Sequence, residues 1–469
     1  MTTYNKRFVA SILIEADTPL SISTGEKDLL TDSAIMKDAN GLPLILGTSL
    51  TGVLRHSLNP DVIAIEDIFG FQNNKKDDGN DNGNDDGKGS RLIVSNAHFV
   101  GSDGRVIEGL QEINWKDKFY SKFKKNPIRE HAKISHKGTA IKGGKFDEQV
   151  VFKGTRFRFE LELIGNEDDN NNWNTILNQF SAADFRIGGG TRKGFGKLKI
   201  IDVHQKCFDL NTEMDKYLDK TSSLNNQKYL EKFSIESSKS ENWVKYELNI
   251  KPENFWVFGS GLMDDEVDMT PVYEEVIENW DQDKPKFSKK KILIPATSVK
   301  GAISHRVAFH YNRLVGNFAD NLLEGKTIET SVGESNEAVK ALFGFAKDSK
   351  NKKDEKEKQD GARGNAIFSD VFIENKNSEK ILNHVAIDRF TGGAIDGALF
   401  DEKVLTQKNE ITFTILIDKK VFKNENVKIK IAFEQTLKDI CEGMLPLGGG
   451  VMRGNGCFTG FVSKNGEKI

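Results

Sequence analysis

Two acidic loops carry the side chains best suited to general-base or metal chemistry. Thr24–Gly41 reads TGEKDLLTDSAIMKDANG and Gly261–Glu275 reads GLMDDEVDMTPVYEE. Aligned without gaps, Asp32 in TDSAIMKD falls on Asp268 in VDMTPVYE, and Asp28 falls on Asp264, with Asp265 beside it. A loop carboxylate can take the proton of an attacking hydroxyl or help to place a divalent ion. Most loop aspartates only face water, so a larger pattern has to single these out.

That pattern comes from three other paired segments. Gly188–Gly196, GGGTRKGFG, returns as Gly448–Gly456, GGGVMRGNG. Gly188, Gly189 and Gly190, like Gly448, Gly449 and Gly450, free the backbone to turn its N–H groups onto an anion, with Arg192 and Lys193 or Arg453 supplying charge. A tight turn between helix and strand is the plainer alternative. Thr48-Ser49 and Thr297-Ser298 open two helices, where Ser49 and Ser298 are expected as N-caps and the free N–H groups favour phosphate. Arg55 and Lys300 add charge on those helices. His384–Phe400, HVAIDRFTGGAIDGALF, matches His131–Phe146, HAKISHKGTAIKGGKF, as a protruding hairpin. Its Phe390 could wedge between nucleotides, with Arg389 on a phosphate. The histidine pairs His305/His310 and His131/His136 follow no metal-ligand spacing and read as core or surface residues.

These segments need a duplicated scaffold. LILGTSLTGVLRH at Leu44–His56 recurs as LIPATSVKGAISH at Leu293–His305, and IFGF at Ile68–Phe71 recurs as LFGF at Leu342–Phe345, in the same order as the glycine runs. Ordered recurrence implies two copies of one domain. Alternation at Val244, Tyr246, Leu248 and Ile250, and at Phe157, Phe159, Leu161 and Leu163, predicts strands. Leu50, Val53, Leu54 and Leu58 predict a helix after Ser49, matched by Val299, Ile303 and Val307. Second helices are expected around Trp173–Phe185 and Ile431–Met444. The order β-α-β-β-α-β predicts an α+β chain of two tandem ferredoxin-like domains, residues 1–204 and 242–469, joined by a linker at 205–241 that holds a short docking helix. Asn73–Gly89 and Lys347–Asp360 lack apolar residues and read as disordered surface loops.

Composition narrows the classes. The 469 residues carry 67 basic and 70 acidic side chains, a net charge of -3, which disfavours nonspecific coating of nucleic acid and leaves a local groove. No apolar run is long enough to span a membrane. Cys207, Cys441 and Cys457 form no C-x-x-C pair or disulfide framework, and the N-terminus lacks the zones of a signal peptide, so a cytoplasmic setting is expected.

The ordered set resembles the RAMP superfamily of CRISPR-associated proteins, and within it the repeated backbone subunit of type III effector complexes. GLPLILGTSLTGVLRHSL, IPATSVKGAISHRV, the F-G-F segments, HVAIDRFTGGAIDGALF and the terminal glycine runs carry the resemblance, which covers nearly the whole chain outside the charged loops and the linker. A tandem fusion is similar to the type III-D variants. The resemblance implies modified RNA-recognition folds with thumb-like hairpin insertions, a bound CRISPR guide RNA, a complementary target RNA and other effector subunits as partners. It also implies endoribonuclease cleavage with a divalent metal, Mg2+ near Asp32. It places the required aspartate on Asp32 and on Asp268 in the second copy, with Asp28, Asp264 and Asp265 as alternatives. The second loop departs from the pattern, since NWDQDKPKFSKKK replaces a short glycine turn. Three other readings stand beside this one: a noncatalytic RNA-binding scaffold, a guide-processing endoribonuclease using histidine chemistry, and a β-rich interaction protein without nucleic acid.

Overall fold

Alternation in the sequence becomes alternation in burial. Phe157, Phe159, Leu161 and Leu163 are buried, while Arg158, Glu160 and Glu162 between them stay half-exposed, as in a sheet with one face on a core. A computed structural model describes the chain except for residues 1–3, 26–30, 73–86, 237–241, 282–283, 322–327, 347–360, 377 and 424–425. Asp28 and nearly all of the two charged stretches therefore lie outside the described residues.

The first unit runs β1 (Lys6–Ala16), α1 (Gly47–Ser57), β2 (Leu92–Val94), a hairpin of β3 (Ile128–Ile134) and β4 (Ala140–Gln149), β5 (Arg156–Gly165), α2 (Asn170–Gln179) and β6 (Leu198–Asp209). β1 pairs antiparallel with β5 on one side and β6 on the other, and β2 flanks β5. A two-residue strand, β7 (Glu231–Lys232), extends the sheet beyond β6. The second unit repeats the order as β8 (Trp243–Pro252), α3 (Ala296–Val315), β9 (Ala366–Phe368), a hairpin of β10 (Glu379–Ile387) and β11 (Ala394–Leu405), β12 (Ile411–Asp418), α4 (Val427–Cys441) and β13 (Phe458–Lys464). Its strands lie in the order β9-β12-β8-β13. Both units are ferredoxin-like, and both insert their hairpin between the second and third sheet strands.

Each unit has its own core. Leu50 and Leu54 of α1 and Ile176 and Leu177 of α2 pack with Phe8, Ile12, Phe157 and Phe159. Val299, Ile303 and Val307 of α3 and Phe433 and Leu437 of α4 pack with Tyr246, Leu248 and Phe413. Each such side chain contributes roughly 1.5–3 kcal/mol by leaving water, which outweighs local propensity.

Ser49 and Ser298 are not the N-caps that the sequence predicts. The helices begin at Gly47 and Ala296, after Leu46 and Pro295, with no side-chain cap from those residues. The cap arrives from across the fold: Asn96 Oδ1 accepts the Gly47 N–H at 2.9 Å, and Asp370 Oδ1 accepts the Ala296 N–H at 2.8 Å. Gly47 permits this early start, because a Cβ there would sit 2.3 Å from the Val94 carbonyl oxygen. The second helices also sit upstream of expectation, ending at Gln179 and Cys441.

The segment after residue 204 belongs to the first sheet. β6 runs on to Asp209, Met214–Leu218 forms one helical turn, and β7 returns to pair with β6. Tyr217 donates to Glu162 at 2.6 Å and Lys220 to Glu160 at 2.7 Å, covering the polar face of β5.

The two units meet head to tail. The first unit's hairpin and glycine run press on the second unit near the start of α3. Arg129, with a side chain only 7% exposed, donates from Nε to Glu274 at 2.7 Å and lies 3.2 Å from Asp370 through Nη1. Arg192 Nε donates to the Gly364 carbonyl at 2.8 Å, and Arg363 donates to Thr191 Oγ1 at 2.9 Å.

Candidate functional site

Strand register at each hairpin base builds the same group of side chains twice. His131 opposes Phe146 and His384 opposes Phe400, and both pairs stack with ring centroids 4.8 Å apart. Two residues after each phenylalanine, on the same strand face, a glutamate meets the histidine: Glu148 lies 2.8 Å from His131 and Glu402 lies 3.0 Å from His384. The glycine run then lays a cation over the ring, Lys193 at 4.8 Å from the centre of Phe146 and Arg453 at 5.5 Å from that of Phe400. Burial pushes the Glu148 carboxyl up, but the His131 hydrogen bond and the charges of His131 and Lys193 outweigh it and leave the group below the ordinary carboxylate range.

The residue between those phenylalanines and glutamates faces the other way, toward the acidic loops. Asp147 Oδ1 accepts the Asp32 N–H at 2.7 Å, and the Asp147 N–H donates to Asp32 Oδ2 at 3.3 Å. In the second unit the Asp401 N–H donates to Asp268 Oδ2 at 3.0 Å. Asp32 and Asp268 thus occupy matching places, each exposed at the base of its hairpin. Asp147 and Asp401 were not singled out from sequence, although their shared place after the paired phenylalanines is visible there.

In the second unit a lysine holds the acidic loop. Lys403 donates to Asp264 at 3.1 Å and to Glu266 at 3.0 Å, where the register puts Gln149 in the first unit. The N–H groups of Glu266 and Val267, and then Lys403, hold Asp264 below the ordinary carboxylate range. Asp264 is therefore occupied as a turn and ion-pair residue, while Asp265 is exposed on the same loop.

The glycine runs serve close backbone crossing. A Cβ on Gly188 would sit 2.4 Å from the Ser21 carbonyl oxygen, and one on Gly448 would sit 2.2 Å from that of Val257. The N–H groups of Gly189 and Gly449 donate to those same carbonyls, so they do not converge on an anion. Gly190 and Gly450 accept from Lys193 and Arg453 N–H groups, closing the turn that follows. Arg453 is tied to Glu402, so its charge is matched internally.

Positive charge instead collects beside the first run. Thr48, Ser49, Arg186, Gly188, Thr191 and Arg192 line a cleft of about 720 Å³ with Arg363 of the second unit. Arg186 is 2% exposed, and its Nε and the Nη1 of Arg192 have no hydrogen-bond partner among the described residues. Burial pulls Arg186 down to about 10, and burial with the charges of Arg363 and Arg186 pulls Arg192 down to about 10. Burial, then Lys193 and Arg192, lower Lys300 to about 8. A buried guanidinium without an acceptor is costly alone and favourable once an anion fills the site. Arg55 lies in the last turn of α1 and does not line the cleft. Thr297 and Ser298 sit in the first turn of α3, and Lys300 stands one turn on. At the second hairpin's tip Phe390 is fully exposed beside Arg389, in a turn held by Asp388 Oδ1 accepting the Phe390 and Thr391 N–H groups. Arg186 and Arg363 escaped the sequence reading, since neither lies in a repeated motif.

Comparison with known proteins agrees with this duplicated geometry. The model of the RAMP superfamily matches residues 13–199 and again 249–459. A curated relative, the CRISPR system Cms endoribonuclease Csm3 of Methanocaldococcus jannaschii, is 27% identical over 241 residues, which are 48% of this chain and 92% of the relative. Two ferredoxin-like sheets of identical strand order, two matching hairpin bases and two family matches in series make this chain a member of the RAMP superfamily that carries two RAMP units in tandem.

Proposed function

We propose that the chain is a backbone subunit of a type III CRISPR effector complex, which holds a guide RNA and cuts complementary target RNA in antiviral defence. The observation that carries this reading is the cleft into which Arg186, Arg192 and Arg363 gather, with the Nε of Arg186 and the Nη1 of Arg192 still without an acceptor among the described residues, a surface suited to a phosphate chain. Thr48, Ser49, Arg186 and Arg192, with Arg363 from the second unit and Lys193 and Lys300 nearby, would hold the RNA backbone. Arg389 and Phe390 would meet the guide–target duplex from the hairpin tip. Base pairing with the guide, not protein contacts to bases, would choose the target.

Cleavage would fall to the hairpin-base aspartates. Asp32 accepts the proton of a ribose 2′-hydroxyl; the 2′-oxygen bonds to the adjacent phosphorus and the bond from phosphorus to the 5′-oxygen breaks. The products are a 2′,3′-cyclic phosphate and a 5′-hydroxyl, which takes up a proton. Much of the rate comes from a kinked backbone that lines up nucleophile and phosphorus. Exposed Asp32 and half-buried Asp147 offer hard oxygen donors on adjoining segments, a set that suits Mg2+ with most of its waters retained. Such an ion supplies charge stabilisation at the phosphate.

Mapping product ends on a complementary RNA tests the reading. Asp32→Ala should remove one cut and Asp268→Ala another, displaced along the target, with target binding preserved in both. Cleavage unchanged in the double variant would remove both residues from the reaction. A purified complex that carries no small RNA would end the proposal.

A further inference from the structure

The insertion that sets the second acidic loop apart from the first ends in the core of the other unit. In the first unit the loop closes at once: Lys37 bridges Pro43, and the Asp38 N–H donates to the Leu42 carbonyl. Tyr273 pairs with Ile292 at the matching place, but there Glu274–Lys291 run between the partners. This arm leaves the second unit and folds back on itself, Ile277 pairing with Phe287 and Glu278 with Lys286. Ile277 is buried in the first unit's core, and Trp280 and Phe287 pack against that same core.

The three side chains are held in different ways. Phe287 meets Phe152 and Phe123 edge-on, with ring centroids 4.8 Å and 5.8 Å apart, and Trp280 meets Phe119 edge-on at 6.1 Å, within the range of favourable aromatic pairs. Trp280 Nε1 donates to the Gly154 carbonyl at 2.7 Å, and the Arg156 guanidinium lies 4.7 Å above the centre of its ring. The Ile277 N–H donates to the Lys153 carbonyl at 2.9 Å. The backbones cross so closely that a Cβ on Gly154 would sit 2.2 Å from the Ile277 carbonyl oxygen. Ion pairs close the rim, Lys122 with Glu275 at 2.6 Å and Arg129 with Glu274. Arg129 opposes Glu148 as Leu382 opposes Glu402 in the second hairpin, so the Arg129 pair belongs to the junction and not to the repeated fold.

Both ends of this contact lie next to the aspartates. On the first unit, Phe152, Lys153 and Gly154 follow directly on the strand whose Asp147 accepts the Asp32 N–H. On the second, the arm continues the segment that carries Asp268. Met269 there exchanges backbone hydrogen bonds with Asp401 and Lys403 at the hairpin base, and Tyr273 and Glu274 then lead into the arm. Two units on a plain linker would be free to vary their separation, whereas an apolar contact of this kind holds it.

We propose that Ile277, Trp280 and Phe287 are positioning residues for the Asp268 cut: the arm, anchored beside the Asp32 site, fixes the separation of the two aspartates and so the interval between the two cuts on one target RNA. The proposal rests on the reading of Asp32 and Asp268 as the cleaving residues. Two variants of the assembled complex test it. Trp280→Ala with Phe287→Ala empties the aromatic contact. Gly-Gly inserted after Glu275 and again after Lys289 keeps that contact filled but slackens both strands that connect it to the second unit. Spin labels placed bioorthogonally at exposed positions 105 and 408, one on each unit, report the separation by pulsed dipolar spectroscopy. The wild type should give one narrow distance, and both variants a distribution at least about twice as wide. On a complementary RNA the ends left by the Asp268 cut should spread to neighbouring phosphodiesters, and that cut should slow at least about tenfold at saturating target. The Asp32 cut of the slackened variant should keep its position and rate. A slackened variant with the wild-type distance, or with the wild-type position and rate of the Asp268 cut, overturns the proposal and leaves the arm as packing for the first unit alone. A wild-type complex with a narrow distance that cuts at neither aspartate would instead count against the function proposed above, so the two failures are separable.

Discussion

Arg129→Leu is the sharpest test of how the two units are joined, because the protein itself places Leu382 at the matching position of its second hairpin. In the junction Arg129 is the cation for two buried carboxylates, Glu274 at 2.7 Å and Asp370 at 3.2 Å. Removing one member of a buried ionic group leaves charge without compensation and costs about 3–5 kcal/mol. Burial already lifts the Glu274 carboxyl above its ordinary range, against the pull of Arg129. Without Arg129 it rises further. A folded-state pKa above the unfolded value gives stability that is present at low pH and lost as pH rises through the folded value. The variant's deficit should therefore be largest near neutrality and shrink as pH falls toward about 5. Adding Glu274→Gln and Asp370→Asn should recover most of the loss, since Asn96 shows that an asparagine can cap the matching helix α1. Urea unfolding of wild type, single and triple variants at pH 5 and 7.5 reads all of this. A single variant within about 0.5 kcal/mol of wild type at pH 7.5, or a deficit independent of pH, would refute the reasoning.

Two further outcomes concern the charged groups. Lys300, held at about 8, loses its charge as pH rises through that value. A bound phosphate keeps it protonated, so RNA affinity should fall by up to about tenfold from pH 7 to 9, and Lys300→Arg should flatten the profile in a filter-binding titration. Lys403→Gln copies the first unit's Gln149 and frees Asp264 and Glu266 to repel each other. The cut assigned to Asp268 should slow at least about fivefold while the Asp32 cut is unchanged, with equal rates in variant and wild type arguing that the loop needs no cation.

The duplication made much of the site legible. Repeated motifs in one order carried the ferredoxin-like architecture and the pairing of Asp32 with Asp268, because equivalent chain segments fold to equivalent places. Helix starts were misjudged at Ser49 and Ser298 because the true caps, Asn96 and Asp370, come from distant segments that local propensity does not report. The glycine runs looked like anion nests, but their backbone groups are engaged by Ser21 and Val257 across the fold. Arg186 and Arg363 were invisible for a related reason: nothing local marks either arginine as a cleft residue, and the cleft exists only once both units are assembled.

The alternation of side chains at the hairpin base has an engineering corollary. Phe146, Asp147 and Glu148 divide their attachments between two faces of one strand, the acidic loop on one side and the glycine run on the other. Inserting a single residue into this strand near its base would exchange those faces and uncouple both loops. The turns beyond it, around residues 135–139 and 388–393, carry no such parity. An insertion at the tips leaves that parity untouched, whereas the base has to be kept residue for residue.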